Sequence, residues 1–126
     1  MKLLVSTCIV FLAALGLGIW ANHSIAKNTE VMLENIGSIS QAVVQEKWDI
    51  ALQETENLKK GWKQNAKWWP ILIDHQEMDN IEFSLARCEE YISYQHLPLA
   101  QSQVSELKAM LEHIPEREAV SLQNIF

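Results

Sequence analysis

LPLAQSQVSELKAMLEHI, Leu97 to Ile114, carries the most regular pattern in the chain. Leu97, Ala100, Val104, Leu107, Leu111 and Ile114 recur in steps of 3, 4, 3, 4 and 3. At 3.6 residues per turn those six side chains share one stripe of an α-helix. Such a stripe is stable only when another element covers it, so this segment predicts a helical partner. Pro98 suits the first turn, where its missing N–H is no loss.

Partners precede it. Ile71, Met78, Ile81, Leu85, Cys88 and Ile92 form a second stripe, with Asp74 as its one polar member, on a helix from Ile71 to about Tyr94. Pro70 marks its start, since a residue before proline avoids the helical region. Further upstream, Met32, Ile36, Ile39 and Val43 step by 4, 3 and 4, with Asn28 or Thr29 as the expected N-cap and Glu30 in the first turn. The pattern then changes phase to Val44, Trp48, Ala51, Thr55, Leu58, Trp62 and Trp69, which predicts a break near Gln45–Lys47. Trp48-Asp49-Ile50-Ala51-Leu52 resembles part of a tetratricopeptide helix pair, but it is a single partial match and reads as packing geometry rather than a repeat. Downstream, Pro115 with Glu116 and Glu118 opens a short terminal helix. Val120, Leu122, Ile125 and Phe126 then end the chain on apolar residues, expected to dock on the bundle or to serve as an interaction peptide. No stretch alternates at period 2 long enough for a strand. The reading is an all-α, antiparallel bundle with short loops.

The N-terminus has a different character. Leu3 to Ala21 is uncharged and, at about 1.5 Å per residue, spans roughly 28 Å, close to the hydrocarbon thickness of a bilayer. Trp20 lies at its far end, where an indole favours the interface. Residues 1–26 therefore read as a signal-anchor, a transmembrane helix contacting the bilayer through residues 3–21, and residues 27–126 as an extracytoplasmic helical bundle domain. The alternatives are a cleaved signal peptide, because Ser24 and Ala26 are small residues suitably placed for a cut after Ala26, and a buried soluble helix. The α-amine and Lys2 on the short side, against Lys27 with Glu30 and Glu34 on the other, put the N-terminus in the cytoplasm and the bundle outside the cell membrane.

All sixteen acidic and nine of the ten basic side chains lie from Asn22 onward, a net charge of −7 on that part. An acidic bundle repels phosphate backbones, so no nucleic-acid partner is expected. It should not lie flat on anionic lipid either. Two cysteines, Cys8 and Cys88, make no disulfide framework.

Within WWPILIDHQEMDNIE, Trp68 to Glu82, the spacing of His75, Asp79 and Glu82 at i, i+4 and i+7 places them on one side of a helix. A helix offers several ligands to zinc or iron with that spacing. The simpler reading is a solvated flank beside the Met78–Ile81–Leu85–Cys88 stripe, with His75 in an inter-helix hydrogen bond. HExxH, Cys-x-x-Cys, a Walker loop and GxSxG are absent, and a paired Glu-x-x-His set for a two-metal bundle is incomplete. No catalytic residue and no cofactor are expected. Trp48, Trp62 and Trp69 read as core. Trp68, rotated about 100° from Trp69, either covers a helix corner or forms a partner surface with Leu72, to which Ile125 and Phe126 could add.

The N-terminal anchor, Trp48 with Ala51, the Leu58–Trp62 pair, Trp69, His75-Gln76-Glu77-Met78-Asp79 with Ile81, and the closing Glu118–Phe126 segment with its Asn124-Ile125-Phe126 end together carry a likeness. The chain resembles a domain-of-unknown-function family of short bacterial, mainly spore-forming Gram-positive, membrane-anchored helical proteins. The resemblance implies the architecture, no activity and no catalytic residue, and it keeps His75, Glu77 and Asp79 as positions to test. The expected function is a single-pass membrane protein with a helical interaction or scaffold domain and a protein partner. The alternatives are a metal-binding protein or metal-dependent enzyme centred on His75, Asp79 and Glu82, or a cleaved secreted binding protein.

Overall fold

A computed structural model describes residues 1–71 and 73–125; over residues 115–125 it describes the helical backbone alone. Four α-helices account for nearly all of it: α1 (Lys2–Val44), α2 (Trp48–Ala66), α3 (His75–Ser93) and α4 (Leu97–Ile125), with a 3-10 turn at Trp69–Ile71. There is no strand among the described residues. Each helix packs on the next and α4 returns to α1, so the four close into an antiparallel ring around one core.

The core is made of stripes at helical spacing. Ile25, Thr29, Met32, Ile36, Ile39 and Val43 are buried on α1; Ala51, Thr55, Leu58 and Trp62 on α2. Met78, Ile81, Leu85, Cys88 and Ile92 are buried on α3, and Ala100, Val104, Leu107, Leu111 and Ile114 on α4. Thr29 and Thr55 can be buried because each hydroxyl donates to the carbonyl four residues back, Ile25 O and Ala51 O, at 2.7 Å in both cases.

The α1–α2 and α3–α4 connections are the same turn. Glu46 has φ 56° and Gln95 φ 55°. In the first, Glu46 N–H donates to Val43 O and Lys47 N–H to Ala42 O; in the second, Gln95 N–H donates to Ile92 O and His96 N–H to Tyr91 O. These bonds satisfy carbonyls left open at a helix end, in the Schellman manner, with a left-handed residue that is not glycine. A shift of 49 residues, the separation of Glu46 and Gln95, superimposes the core stripes as well: Val43 on Ile92, Ile39 on Cys88, Ile36 on Leu85, Ala51 on Ala100, Leu58 on Leu107. The bundle is thus two like hairpins, an internal repeat that the sequence did not reveal.

Several local expectations are corrected. No cap occurs at Asn28 or Thr29, because α1 runs unbroken from Lys2 to Val44. The buried stripe extends back to Ile25, and Thr29 turns its hydroxyl to the helix's own carbonyl instead of capping. Val44 is exposed and outside the core stripe, while Trp48 is half-buried and packs against the edge of the core. The helix expected from Ile71 starts at His75, with Asp74 as N-cap, its carboxylate accepting from Gln76 N–H at 3.4 Å. Pro70 shapes the 3-10 turn, Ile71 is 83% exposed, and Ile73 takes the core place beside Trp69. No new helix opens at Pro115; the α4 backbone continues through it to Ile125.

Candidate functional site

Residues Leu3 to Ala21 form the first half of α1 and touch little of the bundle. An 18-residue window there has mean hydropathy 2.3 with none of it buried, so α1 is long and apolar enough to cross a membrane. The second half of the same helix is a wall of the core.

Where the two halves meet, four tryptophans form a chain. Trp62, buried on α2, stands edge-on to Trp69 at 5.6 Å between ring centroids and 90°. Trp69 stands edge-on to Trp68 at 6.2 Å and 89°. Trp68 lies 6.2 Å from Trp20, which belongs to the apolar half of α1. Tilted and edge-to-face rings at these separations are favourable beyond the area they bury. The Trp69 indole N–H is the one buried side-chain donor without a hydrogen-bond partner among the described residues, whereas Trp62 Nε1 donates to Glu82 Oε1 at 3.2 Å. Leu17, Gly18, Trp20, Ala21, Trp68 and Ile71 line an open groove of about 420 Å³ at this end.

The polar candidates do not converge. His75 is the first residue of α3 and, like Asp79, is exposed, while Glu82 is engaged by Trp62. Among the described residues no three His, Cys, Asp or Glu side chains are grouped so as to hold a metal ion. A shallow cleft of about 320 Å³ lies beside them, lined by Asp74, Gln76, Glu77, Asn80, Met110 and His113. Glu77 and His113 both have interactions of their own.

Other polar groups hold helices together. Gln103 Nε2 donates to the buried Ser84 Oγ at 2.7 Å and to Glu106 Oε2 at 3.2 Å, and Arg87 Nε donates to Gln103 Oε1 at 3.3 Å. This ties α3 to α4 with every buried polar atom matched, as low-dielectric surroundings require. Lys59 Nζ donates to Glu89 Oε2 at 2.7 Å, linking α2 to α3. The hydrogen bond that Lys59 donates to Glu89 holds the ammonium's pKa above its ordinary value, against a smaller opposing effect of burial. Burial pushes the Cys88 thiol up to about 12, outweighing the nearby Arg87. A thiol that stays protonated is a poor nucleophile and a poor metal ligand.

Of the expected partner surface, Trp68 is half-buried between Trp20 and Trp69. Leu72, Phe126 and the side chains of Ile125, Val120 and Leu122 lie outside the described residues. The sequence missed the pairing of Trp68 with Trp20. Its one signal was the recurrence of tryptophan at the end of the apolar run and at the Pro70 corner.

No curated protein and no solved structure matches the chain. A family match covers residues 19–125, beginning inside the apolar half of α1 and running through all four helices, and the chain belongs to that family, described as a domain of unknown function (DUF4363).

Proposed function

We propose that this chain is a single-pass membrane protein, N-terminus in the cytoplasm, whose bundle lies outside and works as an interaction or scaffold module rather than an enzyme. The observation that carries the reading is α1 itself: one helix, apolar and uncovered over its first half, then built into the core from Ile25 to Val43. Left in water, that uncovered surface is unfavourable by roughly 25 cal/mol per Å². Lys2 and the α-amine on the short side favour the N-in orientation.

Retention of the anchor is favoured over a cut after Ala26, because Ile25 is 1% exposed inside the bundle. Cleavage removes that side chain, for which full burial is favourable by about 1.5–3 kcal/mol. The scaffold reading is supported by how the polar side chains are used: Glu82, Glu89, Ser84 and Gln103 all join one helix to another. Phe83 and Tyr94 are exposed aromatic side chains open to a protein partner.

Carbonate extraction of membranes, protease treatment of intact cells and intact-mass measurement test the anchoring. Retention in the pellet, digestion from outside and an uncut N-terminus are expected; release by carbonate, or a mass starting at Lys27, refutes the anchor. Photocrosslinking from position 83 in native membranes tests the scaffold role. A discrete adduct is expected, and monomer alone counts against it.

A further inference from the structure

We propose that the Trp68–Ile71 corner between α2 and α3 is a second membrane contact, seated in the headgroup layer beside Trp20. The inference rests on the anchoring reading above and adds to it a defined orientation of the bundle on the lipid surface.

Height along α1 brings the corner to the lipid. Ile25, the first buried residue of the bundle, lies four residues beyond Ala21, roughly 6 Å along the helix. The interfacial layer of each leaflet is about 5–8 Å deep, the difference between total and hydrocarbon thickness shared between two sides. The near end of the bundle therefore has no room to stand clear of the lipid. Trp68 is fixed at the level of Trp20 by direct ring contact, centroids 6.2 Å apart. Trp20 is 63% exposed and Ile71 83% exposed.

The groove they share has walls from the span (Leu17, Gly18, Ala21) and from the corner (Trp68, Ile71), so it is continuous with the surface that meets acyl chains. Tryptophan favours that depth because the ring is apolar and the N–H remains near water. Lys67, exposed next to Trp68, can carry its ammonium to the phosphate level while its stem lies along the apolar surface. A lipid occupant thus accounts for an isoleucine at the tip of a tight turn, where water alone offers it nothing.

The full chain, with Cys8→Ser and a single spin label at Ile71→Cys, is reconstituted in phosphatidylcholine vesicles. Its collision rates with oxygen and with a water-soluble nickel chelate are compared with those of a label at Ile50→Cys, near the opposite end. Cys88 is buried and does not compete for label. The expected result is an oxygen-to-nickel ratio several-fold higher at position 71 than at position 50, with helicity unchanged by circular dichroism. Equal ratios in a chain that survives carbonate extraction overturn this inference alone. Shielding of position 71 from both reagents identifies a protein cover, such as a second copy, and also overturns it. Loss of the chain from the vesicles overturns the anchoring and the inference together.

Discussion

The two hairpins of the bundle share a turn and a core register yet differ in what they attach to. α1–α2 and α3–α4 reverse direction through Glu46 and Gln95 with the same left-handed φ and the same pair of backbone bonds. Beyond the core the likeness ends. α3 is stopped by the Asp74 cap and its 3-10 corner, whereas the equivalent stretch of α1 continues for more than twenty residues of apolar helix. One packing solution is used twice, and the special properties of the chain lie in what was added to one copy.

Substitutions at equivalent positions can break or sharpen this comparison. Leu58 and Leu107 are each 2% exposed and occupy the same place in their hairpins. Leu58→Ala and Leu107→Ala should each destabilise by about 2–5 kcal/mol. Denaturant midpoints are expected to fall by similar amounts; a small loss in one hairpin only would show that the two do not share a core.

Ala51 and Ala100, both fully buried where the helices cross near the turns, come next. Leucine at either site should overpack the crossing and destabilise by about 1–3 kcal/mol, read as a lowered thermal midpoint.

The turns should respond in the opposite direction. A left-handed conformation costs a side-chain-bearing residue roughly 1–2 kcal/mol, partly offset by the larger entropy loss of glycine. Glu46→Gly and Gln95→Gly are therefore expected to raise the urea midpoint, each by up to about 1 kcal/mol of stability.

Smallest is the contrast between Lys59 and Lys108, also equivalent by the 49-residue shift. Lys59 reaches across to Glu89 on the other hairpin at 2.7 Å, while Lys108 lies 4.0 Å from Glu112 on its own helix. Lys59→Met should cost about 0.2–1 kcal/mol at neutral pH, for a pair this accessible to water. Because the Lys59 pKa is raised above its ordinary 10.5, its contribution is complete below about that pH and fades as pH rises through the raised value. Lys59→Met should remove that part of the alkaline loss, as measured by urea unfolding at pH 9 and above 11; an unchanged profile would deny the pair any role.

The helix stripes were legible because their period is a direct consequence of backbone geometry. The core positions of α4 from Ala100 to Ile114 were read residue by residue, as were Met78 to Ile92 on α3 and the break at Gln45–Lys47. The duplication was not legible. Equivalent positions share burial rather than identity: across residues 25–66 and their counterparts, only Ala51, Leu58 and Lys59 find the same residue. The helix start expected at Asn28 or Thr29 does not exist and that of α3 lies later than Ile71, for a related reason. Thr29 and Asp74 are both capping residue types, and only tertiary packing decides that one is buried mid-helix and the other caps. As for the polar side of α3, His75 and Asp79 are exposed, and the inter-helix hydrogen bond expected of His75 is not found among the described residues. The same periodicity could not foresee that Glu82 accepts a bond from a tryptophan on the neighbouring helix.

α1 contains no proline, and its helix continues without a break through Gly18 and Gly37 from Lys2 to Val44. The portion from Ile25 to Val43 acts as a lever arm roughly 28 Å long. A change of about 10° in tilt, of the kind that matches a helix to a thicker or thinner bilayer, swings the far turn by roughly 5 Å. For a chain anchored as proposed, the thickness of the bilayer and the tilt of the bundle would be mechanically coupled through this single unbroken rod.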